Sequence, residues 1–459
     1  MKNYEYGIRL TIIYAMVWFI DLLDASTLNV ALPRIADSFG ITATDAEWAI
    51  IGFLLAMTLG MTVSTWMGRT FGMKRVFLLS QVLYIGSSLG CGLAADNAQL
   101  IFFRLLQGCS GGLIIPLGMA TLLQVMPQKE WAKTSARMNM VTLLAPALGP
   151  LFAGYVTASM GWQWLFFLKL PLSFFCLLLS FLWVKETEKF LSRFDWKGFA
   201  FSGLSLSLFL LVFSEVGRPD FSTATLIILA LFALIFGFLF LRSEKKTEAP
   251  LISLGLFRSP LFAFGNIIQS SANVIFLGSN FIIALYLQKG LGFDIVTTGW
   301  VMAAITPGML LVQPLVGKFY NRLGPLPFIL PGLIVLALVM FAFMFVTSKT
   351  PPILLALLIF LEGAASSMLQ TANVTSIFAE VPEKQMGAGS SLYSLFKQIS
   401  ASFGVALSTM VLSISSFPLV FLVLGMIPLL ALICCRHIDN KKALKKMKQP
   451  HTETEFGAE

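Results

Sequence analysis

Charge is what this sequence has least of. Of its 459 residues, 12% are Asp, Glu, Lys or Arg, against about 25% in a soluble protein. So few charges cannot cover two or three water-facing domains, and much of the surface must face lipid. Histidine is nearly missing too. His437 and His451 both stand at the C-terminal end, which excludes an imidazole relay in the core. The five cysteines (Cys91, Cys109, Cys176, Cys434 and Cys435) fall in or at the end of apolar runs without metal-ligand spacing, and read as small core residues. Neither HExxH nor GxxxxGK[ST] occurs, so no zinc hydrolase and no phosphate-loop ATPase is encoded.

What is present is length in apolar runs. Hydrophobic residues make up 57% of the chain, and the mean hydropathy is +0.83. A helix needs about 20 mainly apolar residues to cross a bilayer core of ~30 Å. Fourteen stretches qualify, at 8–32, 47–68, 76–95, 98–125, 135–158, 161–184, 198–216, 223–242, 261–286, 296–319, 325–347, 351–378, 388–411 and 416–436. The first has a weakly basic start (Lys2, Arg9). It is too long for a signal-peptide core and lacks a small-residue cleavage site, so it reads as a retained helix. Connections are short except at 185–197, 242–260 and after 436.

The 32 Lys and Arg residues fix an orientation. With the N-terminus inside, Arg34, Arg218, Lys289 and Lys349 fall in outer loops, and Arg104, Lys169 and Lys397 fall within helices. The others collect at cytoplasmic ends and loops. This bias places both termini in the cytoplasm. It also accounts for the net charge of +9 without a nucleic-acid partner. The tail "KKALKKMK" (441–448) either docks on anionic lipid heads or is a solvated stop-transfer flank.

Two loops repeat. "TWMGRTFGMKR" (65–75) carries Arg69, Gly72 and Arg75, and "GKFYNRLGPLP" (317–327) carries Gly317, Arg322 and Gly324. Each follows an apolar helix and reaches a glycine before the next one. In two six-helix halves such loops would lie six helices apart; here they lie eight apart, so helices 7 and 8 are an inserted pair. The expected architecture is an all-α integral membrane protein of 14 transmembrane helices arranged 6 + 2 + 6. Its parts are a six-helix bundle at 1–184, a linker with the inserted pair at 185–260, a second bundle at 261–436 and a basic tail at 437–459. Parallel halves of this kind are a transporter architecture with the substrate site near the midplane.

The motifs carry a family resemblance. "LIFFRLLQGCSGG" (100–112) resembles the helix-4 signature of the major facilitator superfamily, through Arg104, Gln107 and Gly108. "APALGPLFAG" (145–154), with Pro146, Gly149, Pro150 and Gly154, resembles its helix-5 antiporter motif. "LDASTLNVALP" (23–33) is similar to the helix-1 motif of the 14-helix drug–proton antiporters. "FDWKG" (194–198), "PLISLGLFRSPLF" (250–262) and "LYLQKGLG" (285–292) fit the same EmrB/QacA-type efflux group. The resemblance covers nearly the whole chain. It implies the major facilitator fold and proton-driven export of drugs or small amphipathic compounds without a cofactor. It also implies a bacterial inner membrane and a monomer, with or without an accessory periplasmic adaptor. Departures occur at both gate loops, where Thr65 and Arg69 replace a usual Gly and acid and Asn321 replaces an acid. They occur again in "WQWLFFLKLP" (162–171), where Gln163 and Lys169 replace a usual Arg and Asn. These point to a different cytoplasmic latch and an atypical substrate.

Six ionisable residues fall within the apolar stretches: Asp21, Asp24, Arg104, Lys169, Glu362 and Lys397. Each costs at least ~2.5–3.5 kcal/mol on insertion scales and belongs in a protein interior. At ~1.5 Å rise per residue, Asp24, Lys169 and Arg104 lie roughly 9–12 Å below the outer surface. Asp21 and Glu362 lie near ~16 Å, and Lys397 is deeper toward the cytoplasm. The expectation is one polar layer. Asp21 and Asp24 stand at i and i+3, so they can line one cavity. Two carboxylates in a dry site cannot both ionise easily, and an approaching Arg104 changes the balance. Alternating access that alters the Asp–Arg distance would then bind protons outside and release them inside.

Each residue has a plainer reading beside it. Asp24 can be half of a static ion pair, and Asp21 can simply hydrogen-bond inside the bundle. Glu362 sits in "LEGAAS", whose small residues permit close packing. Arg104 is an electrostatic partner or a direct ligand, and Lys169 binds substrate or snorkels to the outer interface. Lys397 stands at a basic position of the family pattern and reads as structural. Pro146 and Pro150 make helix 5 a hinge or a seal, or a packing kink, with Gly149 and Gly154 allowing close approach. Three acids balance three bases, and Lys169 is unusual, which keeps a dedicated exporter of an anionic metabolite, such as a carboxylate siderophore, beside the drug-efflux reading. A receptor that binds without transporting is a third class.

Overall fold

A computed structural model describes residues 2–41, 43–142, 144–186, 194–215, 221–244, 254–293, 295–438 and 440. Backbone N–H and C=O groups in lipid must be satisfied within their own segment, which leaves an apolar chain the helix. The α-helices run α1 Lys2–Phe39, α2 Ala43–Phe71, α3 Met73–Gly92, α4 Asn97–Val125, α5 Trp131–Thr142, α6 Leu144–Ser159, α7 Trp164–Phe167, α8 Leu170–Trp183, α9 Trp196–Glu215 and α10 Thr223–Glu244. They continue with α11 Pro260–Leu285, α12 Ile295–Ala303, α13 Ile305–Leu323, α14 Leu326–Phe343, α15 Pro352–Phe378, α16 Met386–Ile414 and α17 Phe417–Cys434. Among the described residues, 11 helical segments are long and apolar enough to cross a membrane. Helix also runs through 76–92, 135–142, 144–158 and 198–215 of the other three expected stretches, although these fall short of that measure.

Local sequence sets the helix ends. Asp96 caps α4, its carboxylate accepting from the Gln99 N–H at 2.8 Å, and Ser259 with Pro260 opens α11. The two repeated loops share a backbone feature. Gly72 between α2 and α3 has φ 95° and Gly324 after α13 has φ 80°, a region that a side chain with a Cβ rarely enters.

Helices α1–α8 pack mainly among themselves, and so do α11–α17; α9 and α10 lie against each other, with α9 touching α2 and α16. Glycines bring backbones together in both sets. A Cβ on Gly60 of α2 would stand 2.7 Å from the Cys109 carbonyl of α4, and Gly108 packs its Cα against Phe53 of α2. In the second set, Gly308 of α13 meets the Phe360 carbonyl of α15 in the same way. Helix α10 presents Ile227, Leu231 and Phe238 outward, as a lipid-facing surface requires.

The two sets meet through α16 against α2 and α4, and through α13 and α15 against α5. Hydroxyls and amides make the junction. Ser391 lies 2.9 Å from Ser64 and 2.8 Å from Thr65. Ser390 donates to the Pro116 carbonyl at 2.8 Å, and the Gln124 amide donates to the Glu383 carbonyl at 2.9 Å. Asn321 donates to the Lys129 carbonyl, and Asn139 to Thr371 at 3.2 Å. These bonds lie toward the end of the bundle that carries Gly72 and Gly324.

Candidate functional site

Three parts of the sequence meet in one charged cluster. Asp24 of α1 accepts from Arg104 near the start of α4 and, on its other oxygen, from Lys169 just before α8. The three side chains are 1%, 1% and 3% exposed. Arg104 is further fixed by donation to the Ala49 carbonyl at 3.2 Å and to Gln107 Oε1 at 2.6 Å. Gln107 passes the link to Ser88 at 2.8 Å. The guanidinium lies 4.1 Å from the centre of the Phe53 ring, and Lys169 Nζ lies 4.9 Å from that of Phe166. Gly108 works beside them: it lets α4 close on α2, which brings Phe53 and Ala49 to Arg104.

The expected single layer is divided. Glu362 lies in α15, 1% exposed, bonded to Ser279 of α11 and away from the Asp24 cluster. Lys397 of α16 reaches across to α1, with Nζ 4.6 Å from the Trp18 ring centre. Asp21 and Asp24 do not line one cavity. Asp21 faces a cavity inside α1, α3, α4 and α8, where Gly111 makes room for its carboxyl: a Cβ there would stand 2.9 Å from Oδ1. The two acids sit against α4 two turns apart, Asp24 at Arg104 and Asp21 at Gly111.

Further readings are corrected. Lys169 does not snorkel, because Asp24 offers it a buried counter-charge. Gly154 does not serve close packing, since nothing lies within 4 Å of a Cβ placed there. Gly149 is buried in α6, whereas the side chains of Pro146 and Pro150 lie outside the described part. At the loops, Arg75 pairs with Glu186 at 3.6 Å, Arg69 and Arg322 are exposed, and Gly317 packs α13 against Ala136 of α5. The basic tail from 441 onward also lies outside the described residues.

Sequence reasoning marked Thr65 as a departure at the gate loop but passed over its partners Ser64 and Ser391, and over Ser279 and Gln81. Gln81 was visible as an amide inside an apolar stretch. The serines gave no such signal, because a hydroxyl satisfied by its own helix backbone is common in membrane helices.

Comparisons with known proteins bear on the family and the fold. The sequence model of the Major Facilitator Superfamily matches residues 14–278 and 262–457. Among curated proteins, the multidrug export protein EmrB of Haemophilus influenzae is 28% identical over 407 residues, covering 88% of this chain and 80% of its own. Among solved structures, the human organic anion transporter MFSD10 (TETRAN) matches with a TM-score of 0.65 at 17% identity, covering 93% of this chain and 99% of its own. The proton:xylose symporter XylE matches with a TM-score of 0.66 at 13% identity, covering 97% of this chain and 98% of its own.

Proposed function

The chain belongs to the major facilitator superfamily, and we propose that it is a proton-coupled exporter of small amphipathic compounds or drugs, working by alternating access. The observation that carries the reading is the Asp24–Arg104–Lys169 cluster, held within one set of helices while the two sets are joined at the other end. In the proposed topology, 14 helices in a 6 + 2 + 6 order place both termini in the cytoplasm of a bacterial inner membrane. The bundles span 1–184 and 261–436, and the inserted pair lies within 185–260. The Ser391 junction then closes the cytoplasmic side, and the structure is the outward-facing state.

The cycle follows from the charges. Two cations stabilise the Asp24 carboxylate, so a proton from outside binds when Lys169 or Arg104 withdraws. The protonated carrier turns inward, where the pairs re-form and expel the proton to the cytoplasm. They persist as substrate is carried outward, which gives the paired outward-facing state assigned above. A proton moving inward gains ~2.3 kcal/mol per 100 mV, which drives export without a cofactor. Glu362, in the opposite half, is the second candidate acid. A dedicated exporter of an anionic metabolite is the second reading, favoured by one observation: Asp24 alone answers two bases, leaving the cluster with a positive charge.

Everted vesicles test both. Lipophilic cations and polycarboxylates are added in turn while the pH gradient is followed. Cations that dissipate the gradient through the native chain but not through Asp24→Asn establish drug–proton exchange. Dissipation by polycarboxylates alone, lost in Lys169→Asn, establishes the anion exporter. A gradient that no compound disturbs sinks the coupling.

A further inference from the structure

The cavity beside Asp21 is separate from the Asp24 cluster: its lining includes Asp21, Gln81, Tyr84, Gly111, Ser173 and Cys176, and none of Asp24, Arg104 and Lys169. Asp21 is 6% exposed and Gln81 4% exposed. Asp21 Oδ1 and Gln81 Oε1 are buried without a hydrogen-bond partner among the described residues. The orientation of the amide is fixed by its neighbours. Ser180 donates to the Cys176 carbonyl at 2.6 Å and so must accept from Gln81 Nε2 at 2.8 Å, which leaves Gln81 Oε1 as an acceptor. The Tyr84 hydroxyl on the same cavity also lacks a hydrogen-bond partner among the described residues. Two acceptors and a hydroxyl call for a group that donates twice and accepts once. A water molecule does so, in a polar site of the kind that holds buried water.

A second cavity continues the line. Its walls include Ile13, Tyr14, Met73, Phe77, Gly118 and Thr121. On each of α1, α3 and α4 these residues stand one to two turns nearer the Gly72 loop than those around Asp21.

We propose that the interior of α1, α3, α4 and α8 holds a water site that delivers protons to and from Asp21, by a path separate from the passage between the two halves. The purpose of this site rests on the exporter reading; its existence does not. The ionisable groups facing Asp21 are Arg104 of α4, Lys169 before α8, Lys397 of α16 and Tyr84 of α3, with Tyr14 on its own helix. Lys397 gives the site its consequence. It reaches from the opposite half to Trp18, one turn from Asp21, so the charge on Asp21 is felt across the junction of the halves.

Infrared spectroscopy of the reconstituted full chain tests this without any transported compound. An Asp24→Asn/Glu362→Gln background removes the other two acids at that depth. Glu215 and Glu244, buried at helix ends, remain as a background that Asp21→Asn leaves in place. Titration from alkaline to acid buffer is expected to raise a protonated-carboxyl band that shifts on transfer to D2O and is lost in Asp21→Asn. Gln81→Leu, which leaves the acid in place and removes one acceptor, is expected to move the band. A band that ignores D2O, or no band removed by Asp21→Asn, overturns the proposal. So does a band unmoved by Gln81→Leu, which decides the matter should Asp21→Asn fail to fold. Failure here, with proton movement present in the native chain and lost in Asp24→Asn, leaves the exporter reading standing.

Discussion

The two halves bury polarity in different ways. In α1–α8 a carboxylate, a guanidinium and an ammonium meet directly at Asp24, Arg104 and Lys169. In α11–α17 the one acid of the helices, Glu362, meets a hydroxyl, and Lys397 turns to Trp18 of the other half. Neutral groups join much of the remainder: Thr371 to Gln313 at 2.8 Å, and Asn373 to Gln269 at 3.2 Å and to the Gly265 carbonyl at 2.8 Å. Charge pairs in a dry interior are costly to break, whereas neutral hydrogen bonds exchange at small cost. Under the proposed function, the first half is the one to respond to a proton, and the second gives it a partner surface.

The largest test of that contrast removes a charge from each half. Arg104→Met leaves Asp24 with one cation and strands the Gln107 and Ala49 contacts. A loss of about 3–5 kcal/mol is expected, read as a collapse of Tm in detergent, with transport abolished. Glu362→Gln keeps the Ser279 contact and is expected to leave Tm near that of the native chain. Next in size is Gly108→Ala, whose new Cβ meets Phe53 of α2. Overpacking there is expected to cost about 1–3 kcal/mol and to weaken transport by loosening Arg104, again read by Tm and vesicle assays.

The junction between the halves comes third. Thr65→Val with Ser391→Ala removes neutral bonds worth about 0.5–1.5 kcal/mol each. Cysteine labelling of the Gly72 end of α2 and the Met386 end of α16 is expected to speed up, by several-fold rather than by orders of magnitude. Smallest is Arg75→Ala, which breaks an exposed pair with Glu186. A change within about 1 kcal/mol is expected, because water screens both partners.

Much of the fold could be read in advance, since the bilayer forces long apolar runs into helices, and Gly72 and Gly324 mark equivalent turns by their conformation. The six buried charges were legible as well, because each stands out against its apolar neighbours. Their grouping was not. Spacing put Asp21 and Asp24 on one face but said nothing of Gly111, whose missing side chain opens a separate chamber for Asp21. Depth arithmetic placed Arg104 and Lys169 level with Asp24, yet it also placed Glu362 level with Asp21, although Glu362 bonds to Ser279 within the opposite half. Rotation of each helix about its axis, set by packing between distant segments, decides such cases.

The most direct test is a paired measurement in proteoliposomes carrying Asp24→Asn or Glu362→Gln. An outward gradient of ethidium is imposed, and inward proton movement is recorded. The account predicts that Asp24→Asn abolishes the proton movement while Glu362→Gln, assayed alongside the native chain, retains most of it. Proton movement that survives Asp24→Asn and vanishes with Glu362→Gln would contradict it, and would place the coupling in the half of Glu362.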